Sequence, residues 1–282
     1  MTATVVVTGA TSGIGYVTAL ELAKAGKRVI ALGRSAEKIA ARDAEIRAAA
    51  PGASLEWVQA DFASLRQVAE ASRQIAAMAD PIDVLVNNAG NQLDRRIMTG
   101  DGFEMTWQVN HLAPFLMTAI LLPSVLRAER PQVITTSSIG HTMIDDMIWD
   151  DLQVAQDFTP LRAYCQSKLA NVLFTRELAR RNANTALVAS AVHPGLVISD
   201  FAAKGGQHMQ DYYRGAEERG ESFTSEEGAD TIIWLARDAD AGRPSGGYFF
   251  QRQRLDPSAA AADPASAERL WDISEQQVRD YL

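Results

Sequence analysis

The sequence predicts an α/β fold in which helices cover both faces of a doubly wound parallel sheet of about seven strands, within a single domain. Short β-branched runs alternate with longer helical stretches, and this alternation is typical of strand–helix–strand units. Several of the short runs are apolar almost throughout, as expected for strands that helices cover on both faces. A glycine-rich turn joins the first strand to the first helix, at the end of the sheet where ligands bind.

The predicted elements follow one another along most of the chain. The strands are Thr4–Thr8, Arg28–Leu32, Leu55–Gln59, Val84–Val86, Val133–Thr136, Leu187–Ala191 and Gly247–Phe250. The helices lie near residues 13–25, 36–49, 64–78, 103–128, 163–182 and 226–237. These elements form a domain over residues 1–255, in which the glycine-rich, charged segment 201–224 is predicted to be a lid. Residues 256–282 are predicted to contain an alanine-rich linker, Ser258–Ala262, and a C-terminal helix with the apolar stripe Leu270, Trp271, Ile273 and Val278.

Composition and charge exclude several classes of protein. Hydrophobic residues make up 47% and charged residues 22% of the 282 residues, the balance of a globular protein with a sizeable core. A net charge of −8 argues against nucleic acid as a partner, because such binding requires a basic surface. Cys165 is the only cysteine, which fits a reducing compartment. The first strand begins almost at Met1 and no long apolar run occurs, so we expect a cytoplasmic protein without a signal peptide or membrane span.

The turn Thr8–Gly15 after the first strand has a phosphate-binding pattern. Its glycines, Gly9, Gly13 and Gly15, let the backbone turn sharply and approach a pyrophosphate closely. The N–H groups and the dipole of the following helix favour the bound anion. The spacing Gly-x-x-x-Gly-x-Gly at a strand–helix junction predicts a Rossmann-type dinucleotide site, which also includes Thr11, Ser12 and Ile14.

The end of the second strand indicates which dinucleotide is bound. A site that prefers NAD places Asp or Glu here to bind the ribose 2′-hydroxyl, whereas this chain has Gly33 and Arg34. The Arg34 guanidinium can pair with a 2′-phosphate through two hydrogen bonds, and Lys38 lies one helical turn further on. The predicted cofactor is therefore NADP(H).

The order of these motifs resembles the classical short-chain dehydrogenase/reductase family over residues 4–250. The matching positions are Thr8–Gly15, Asp61, Asn87–Gly90, Asn110, Ser138, Tyr164 with Lys168, and Pro194 with Gly195. Segments 109–112, 163–181 and 193–195 resemble the retinol dehydrogenase-like branch, whose members interconvert apolar aldehydes or ketones and alcohols with NADP(H). We expect no membrane anchor of the kind found in the vertebrate members, so retinoid chemistry is not implied.

The resemblance also implies further cofactor-binding residues. Those on the adenosine side are Asp61, Phe62, Asn87, Asn88, Ala89 and Gly90. Those on the nicotinamide and pyrophosphate side are Pro194, Gly195, Val197 and Ser199, together with Tyr164 and Lys168. Asp61 would bind the adenine amino group. Family members pair through the helices at 103–128 and 163–182, which allows a homodimer or homotetramer.

Carbonyl reduction needs a proton donor, and Tyr164 with Lys168 can supply one. A free phenol has a pKa of about 10, too high for efficient transfer near neutrality. Residues four apart share a helix face, so the Lys168 ammonium can stabilise the Tyr164 phenolate and lower its pKa. Ser138 follows the fifth strand and can hydrogen-bond the substrate oxygen. By resemblance, Asn110 holds a water that joins Lys168 to solvent.

The predicted substrate is a bulky apolar carbonyl compound or its alcohol. Segment 139–163 between Ser138 and Tyr164 is long, which enlarges the substrate side. The substrate-binding residues are predicted to be Gln92, Ile139, His141, Leu196 and Phe201. No metal site is predicted, because His111, His141, His193 and His208 lack metal-ligand spacing.

Two other functions stay open on the sequence. A non-catalytic NADP-sensing or scaffold protein could retain the fold, although such relatives usually lose a member of the Ser–Tyr–Lys set. A sugar-nucleotide epimerase or dehydratase would need a larger carboxy-terminal domain. The leading hypothesis is therefore an NADP(H)-dependent oxidoreductase that acts on an apolar carbonyl compound or alcohol.

Overall fold

The computed structural model describes residues 2–198, 206–238 and 240–282. The predictions for Ser199 and Phe201 lie outside the described residues, as does the side chain of His208. The strands β1 to β10 are Thr4–Val7, Arg28–Gly33, Leu55–Gln59, Val84–Asn87, Gln132–Thr136, Val188–Val192, Leu196–Val197, Ser222–Phe223, Gly247–Phe250 and Gln253–Leu255.

The helices are also given in chain order. The first three, α1 to α3, are Gly13–Lys24, Ala36–Ala49 and Leu65–Met78. Helix α4 begins with Met105–Trp107, passes through a π-helical turn at Gln108–Leu112 and continues as Ala113–Val125. Helices α5 to α9 are Pro160–Arg181, Gly206–Glu218, Ser225–Arg237, Ala259–Ala262 and Pro264–Val278. Within the described ranges, none of these helices has the length and hydropathy needed to cross a bilayer.

The main sheet confirms the predicted doubly wound topology. Its strand order is β10-β9-β6-β5-β4-β1-β2-β3, and all neighbours except β10 and β9 run parallel. The chain builds outward from β1 to β3, then crosses back to place β4 on the other side of β1. This reversal opens a crevice at the carboxyl ends of β1 and β4, where ligands bind in sheets of this kind.

The antiparallel edge strand β10 was not predicted from the sequence. It follows β9 through a two-residue turn in which Gln251 and Arg252 both have positive φ angles, of 47° and 59°. Turns of this kind usually contain Asn-Gly, and because Gln and Arg stand here instead, the sequence gives no sign of a hairpin. The Arg252 guanidinium bonds to the Asp230 carboxylate, and the Arg252 N–H donates to Thr231 Oγ1 at 3.0 Å. These contacts to α7 hold the turn in its strained conformation.

Helices pack on both faces of the sheet, around two separate apolar cores. Val5 and Val7 of β1 face a core formed with α1, α2 and α7, where Leu22 and Ile232 are fully buried. Val6, between them, faces the opposite core, formed with α3, α4, α5 and α9. Because successive residues of a strand point to opposite faces, the apolar run of β1 contributes side chains to both cores.

The C-terminal residues belong to the same packed unit rather than to a separate appendage. The predicted linker Ser258–Ala262 instead forms helix α8, because alanine is the best helix former and Ser258 caps the first turn. In α9, the Trp271 ring lies 4.9 Å from Phe115 and 5.9 Å from Phe174, measured between ring centroids. Helix α9 therefore covers part of α4 and α5, the helices through which pairing was expected.

Part of the predicted lid is helical. Met209, Tyr212, Tyr213 and Ala216 lie three, four and seven residues apart, the spacing of one helix face, and Ala216 is fully buried. After α6, strand β8 pairs with β7 in a separate two-stranded parallel sheet. The glycines of the segment obscured this helical spacing in the sequence.

Candidate active site

A cavity of about 1020 Å³ opens at the carboxyl ends of the parallel strands. The predicted cofactor-binding residues in its wall are Gly9, Thr11, Ser12, Gly13, Ile14, Arg34, Lys38, Asp61, Phe62, Asn88, Ala89, Gly90, Pro194, Gly195 and Val197. The same wall contains Ser138, Tyr164 and Lys168 of the predicted catalytic set, and Gln92, Ile139 and Leu196 of the predicted substrate set. Folding thus brings the predicted cofactor-binding residues and the predicted catalytic and substrate-binding residues, which come from distant parts of the sequence, to one cavity.

The phosphate-binding turn has the geometry expected for an anion site. Gly9 and Gly13 adopt positive φ angles of 68° and 53°, which favour glycine. Ser12 precedes α1, and its side chain makes no capping hydrogen bond within the described structure. The N–H groups in the first turn of α1 therefore remain available to a phosphate. The turn fits the pyrophosphate of a dinucleotide.

Two residues predicted to bind the cofactor lie behind the cavity wall instead. A Cβ on Gly15 would lie 2.3 Å from the Gly9 carbonyl oxygen, so this glycine permits close packing within the turn. The Asn87 side chain donates from Nδ2 to Thr118 Oγ1 at 2.9 Å, away from the cavity. The wall therefore begins at Asn88, one residue later than predicted.

Thr8 organises the loop after β4, a role that the sequence reasoning missed. Its buried hydroxyl accepts hydrogen bonds from the N–H groups of Asn88 at 2.9 Å and Ala89 at 3.0 Å. The hydroxyl donates in turn to the Val86 carbonyl at 3.2 Å. Neighbouring parallel strands end at the same edge, so the hydroxyl at the end of β1 was the available signal for this contact.

Asn110 is a positioning residue in the π-helical turn. Its Oδ1 accepts from the Asn91 N–H at 2.7 Å, and its Nδ2 donates to the Asn91 carbonyl at 2.8 Å and to Ser167 Oγ at 3.0 Å. Ser167 Oγ donates to the Tyr164 carbonyl at 2.7 Å. The amide thus ties the loop after β4 to the helix that carries Tyr164. Local π-helical turns are frequent at functional sites.

The acid–base groups lie together, but burial shifts their pKa values in a direction that was not expected. Burial raises the pKa of Tyr164, the Tyr213 phenol raises it further, and the hydrogen bond with Ser138 opposes both. Burial lowers the pKa of Lys168 from 10.5 to about 8. Lys168 Nζ donates to the Thr136 carbonyl at 3.1 Å and lies 5.5 Å from the centre of the Tyr164 ring. In the protein alone, desolvation dominates and the net shift of the Tyr164 pKa is upward, so a lowering by Lys168 stays a prediction for the occupied site.

His141 lies outside the cavity wall, so its contact with substrate stays a prediction that the cavity does not support. The ring is fully buried, with Nδ1 2.7 Å from the Ser138 carbonyl and Nε2 accepting from the Ser258 N–H at 3.2 Å. These partners require the proton on Nδ1, since a carbonyl oxygen only accepts. Burial lowers the pKa of His141, which favours this neutral form. His141 therefore holds the backbone at Ser138 against the start of α8.

The predicted substrate side of the cavity is largely apolar. Its apolar and aromatic wall residues include Leu93, Ile97, Met105, Val109, Met143, Leu161, Met209, Tyr212 and Tyr213. Several of these apolar side chains are exposed, and the exposed fraction is 60% for Met143 and 47% for Leu161. Ile97, Met105 and Leu161 were not singled out in the sequence, because they come from separate segments without a shared motif.

Comparison with known proteins agrees with this geometry. The sequence model of the short chain dehydrogenase family matches residues 3–148. Retinol dehydrogenase 13 from Homo sapiens is 35% identical over 284 aligned positions, which cover 98% of this chain and 84% of the relative. A protein from Streptomyces sp. (strain C5), named as a candidate daunorubicin C-13 ketoreductase, is 36% identical over 282 positions, covering 98% of this chain and 93% of the relative.

Comparison with a solved structure also finds a short-chain dehydrogenase. The short chain dehydrogenase from Burkholderia cenocepacia J2315, in complex with NADP, superimposes with a TM-score of 0.70 at 25% identity. The match covers 88% of this chain and 95% of that chain. The chain belongs to the short-chain dehydrogenase/reductase family of oxidoreductases, in its retinol dehydrogenase-like branch.

Proposed function

We propose that the protein is an NADP(H)-dependent oxidoreductase that interconverts an apolar aldehyde or ketone and its alcohol. The observation that carries this proposal is the continuous cavity, whose wall contains both the phosphate-binding turn and the set Ser138, Tyr164 and Lys168. A purely structural or scaffold role would not require the three reactive side chains to converge beside a dinucleotide site.

NADP(H) fits the adenosine end of the cavity better than NAD(H). Arg34 and Lys38 line this end, and Gly33 occupies the strand end where an NAD-preferring site has an acidic side chain. The Arg34 guanidinium would bind the 2′-phosphate, and the turn from Gly9 to Ile14 would bind the pyrophosphate. When bound, the reduced nicotinamide supplies the hydride. The NADP complex of the Burkholderia relative supports the same assignment.

The protein's own residues handle the proton. In the reductive direction, Ser138 hydrogen-bonds the substrate carbonyl oxygen and Tyr164 gives that oxygen its phenolic proton as the carbon is reduced. The phenolate left on Tyr164 is stabilised by Lys168, whose ammonium is held by the Thr136 carbonyl. In the oxidative direction the steps reverse, and the alcohol proton passes to the Tyr164 oxygen.

The substrate end favours an apolar molecule. Met143, Leu161 and Tyr212 line the cavity there and are exposed in the protein alone, so a bound apolar body would remove their surface from water. We assign α6, which contributes to the cavity wall, to a lid over this end. The relatives named as a retinol dehydrogenase and as a candidate daunorubicin C-13 ketoreductase support an alcohol or a ketone as the substrate.

A carbonyl panel tests the proposed function. We expect the wild-type protein to oxidise NADPH in the presence of bulky aryl or alicyclic aldehydes and ketones, with higher kcat/KM than for acetone or propanal. Preference for the three-carbon compounds would contradict the apolar-substrate proposal. Binding of NADPH without turnover of any carbonyl or alcohol would favour the NADP-sensing alternative.

The change Arg34→Asp is expected to reverse the cofactor preference. Loss of hydrogen bonds to a charged phosphate should lower kcat/KM for NADPH by about 10- to 100-fold, while the new carboxylate accepts the ribose hydroxyl of NADH. Steady-state kinetics with both cofactors measures this change. Arg66→Ala is the control, since Arg66 is exposed on α3 and pairs with Glu70 outside the cavity. Equal losses for NADPH and NADH would contradict the assignment.

Carbonyl reduction is expected to slow as the pH rises through about 8. Burial lowers the pKa of Lys168 to about 8, so its ammonium, which stabilises the Tyr164 phenolate, is present below that pH and lost above it. The pKa of Tyr164 is raised, so its phenol keeps its proton throughout this range. A profile of kcat/KM from about pH 6 to 10 measures the effect. Lys168→Arg should remove the descending limb near pH 8, because arginine does not titrate there.

A further inference from the structure

The amide of Gln92 has no hydrogen-bond partner among the described residues, although it is buried in the cavity wall. Only 1% of Gln92 is exposed, and neither Nε2 nor Oε1 bonds to any residue of the described ranges. The neighbouring Asn91 also lines the cavity, and its buried Oδ1 likewise lacks a partner among described residues. Other buried polar atoms without a partner, such as Glu104 Oε1 and His111 Nδ1, lie outside the cavity wall, so among the described residues these two adjacent amides are the unpartnered groups placed to bond with a ligand in the cavity.

The backbone at these amides is held firmly at the catalytic end of the cavity. Asn110 bonds to both the N–H and the carbonyl of Asn91, at 2.7 and 2.8 Å. A Cβ on Gly90 would lie 3.7 Å from Lys168 Nζ. Two residues span at most about 7 Å, so the Gln92 Cα lies no further than that from Gly90. Gln92 is therefore near the reacting groups.

A bonded glutamine in the same protein shows the difference. Gln166 of α5 is also fully buried, but its Oε1 accepts from the Ile148 N–H at 2.8 Å. Its Nε2 donates to the carbonyls of Leu152 at 2.7 Å and Asp151 at 3.2 Å. Gln166 therefore has a structural role, whereas no hydrogen bond to a described residue gives the Gln92 amide such a role.

We propose that Gln92 is a specificity-determining residue that binds a hydroxyl group on the substrate, separate from the carbonyl or alcohol that reacts. The amide Nε2 requires an acceptor and Oε1 requires a donor, and a hydroxyl supplies both. Asn91 Oδ1 accepts from a second donor where the substrate carries one. This inference rests on the proposed oxidoreductase function and narrows its substrates to apolar carbonyl compounds that carry a hydroxyl group.

Thermal unfolding of the protein without ligands gives the first test. Gln92→Met keeps the approximate shape and removes the unpartnered amide, so the Tm is expected to rise by about 2–4 °C. Gln166→Met removes a bonded amide and is expected to lower the Tm, which makes it a matched control. If Gln92→Met lowers the Tm as well, the Gln92 amide supports the fold and the inference is overturned.

Paired ligands give the second test. The probes are 2-acetylnaphthalene and the set of its monohydroxylated derivatives, which are isomers of one another with the hydroxyl group on either ring. NADPH is present throughout. The wild type is expected to prefer at least one hydroxylated isomer by about tenfold in kcat/KM, and Gln92→Met is expected to lose this preference. Unchanged preference in the variant overturns the inference and leaves the oxidoreductase proposal intact.

The same compounds also report on binding without turnover. A hydroxylated isomer should raise the Tm of the wild-type NADPH complex more than 2-acetylnaphthalene does, and this difference should vanish in Gln92→Met. If no carbonyl is reduced, the oxidoreductase proposal fails, while these shifts still test the contact with Gln92. If 2-acetylnaphthalene and all of its hydroxylated derivatives shift the Tm of the wild type equally, the inference is overturned.

Discussion

Replacing Tyr164 with phenylalanine is expected to lower kcat for carbonyl reduction by roughly 10²- to 10⁴-fold, the usual contribution of a positioned acid. The change removes one hydroxyl and keeps the ring, which packs beside Gly140 and Lys168. Because the wall keeps its shape, the Kd for NADPH should change far less than kcat. Steady-state NADPH oxidation and a fluorescence titration with NADPH measure the two quantities separately.

The matched control for this experiment is Tyr281→Phe. The Tyr281 hydroxyl donates to Asp101 Oδ1 at 3.0 Å, outside the cavity wall, so its loss should leave kcat close to that of the wild type. An unchanged kcat in Tyr164→Phe would contradict the acid role of Tyr164. A large loss of kcat in both variants would show instead that removing either tyrosine hydroxyl disturbs the protein. The experiment would then no longer support a specific acid role for Tyr164.

The change Gly15→Ala is expected to raise the Kd for NADPH at least about tenfold and to lower the free energy of unfolding by about 1–3 kcal/mol. The added Cβ would lie 2.3 Å from the Gly9 carbonyl oxygen and 2.5 Å from Asn88 Nδ2. Both contacts are too close, so the turn that carries the phosphate-binding N–H groups must shift. Fluorescence titration and urea unfolding measure the two effects.

Gly100→Ala provides the comparison for that substitution. A Cβ on Gly100 would meet no described atom within 4 Å, and its φ lies outside the positive range that disfavours alanine. Neither NADPH binding nor stability should fall in this variant. If Gly15→Ala behaved like Gly100→Ala, the close packing of Gly9, Gly15 and Asn88 would have no part in forming the site.

Local sequence determined the parallel framework and most of the cofactor end. Strands such as Thr4–Val7 are apolar because helices cover both of their faces, so the apolar run alone predicts them. The turn around Gly9 and Gly13 is also local, since its positive φ angles favour glycine within a few residues. The family resemblance then located Ser138, Tyr164 and Lys168, which the fold brings to one cavity.

Only the tertiary structure decided the features that join distant segments. The Thr8 hydroxyl bonds to residues eighty positions away, Asn110 holds Asn91, and His141 contacts Ser258 rather than the cavity. The pKa of Tyr164 likewise follows from burial by several elements, and not from the spacing to Lys168 alone. Hydrogen-bond partners and desolvation depend on which atoms fold together in space, whereas periodicity and turn geometry depend on neighbours in the chain.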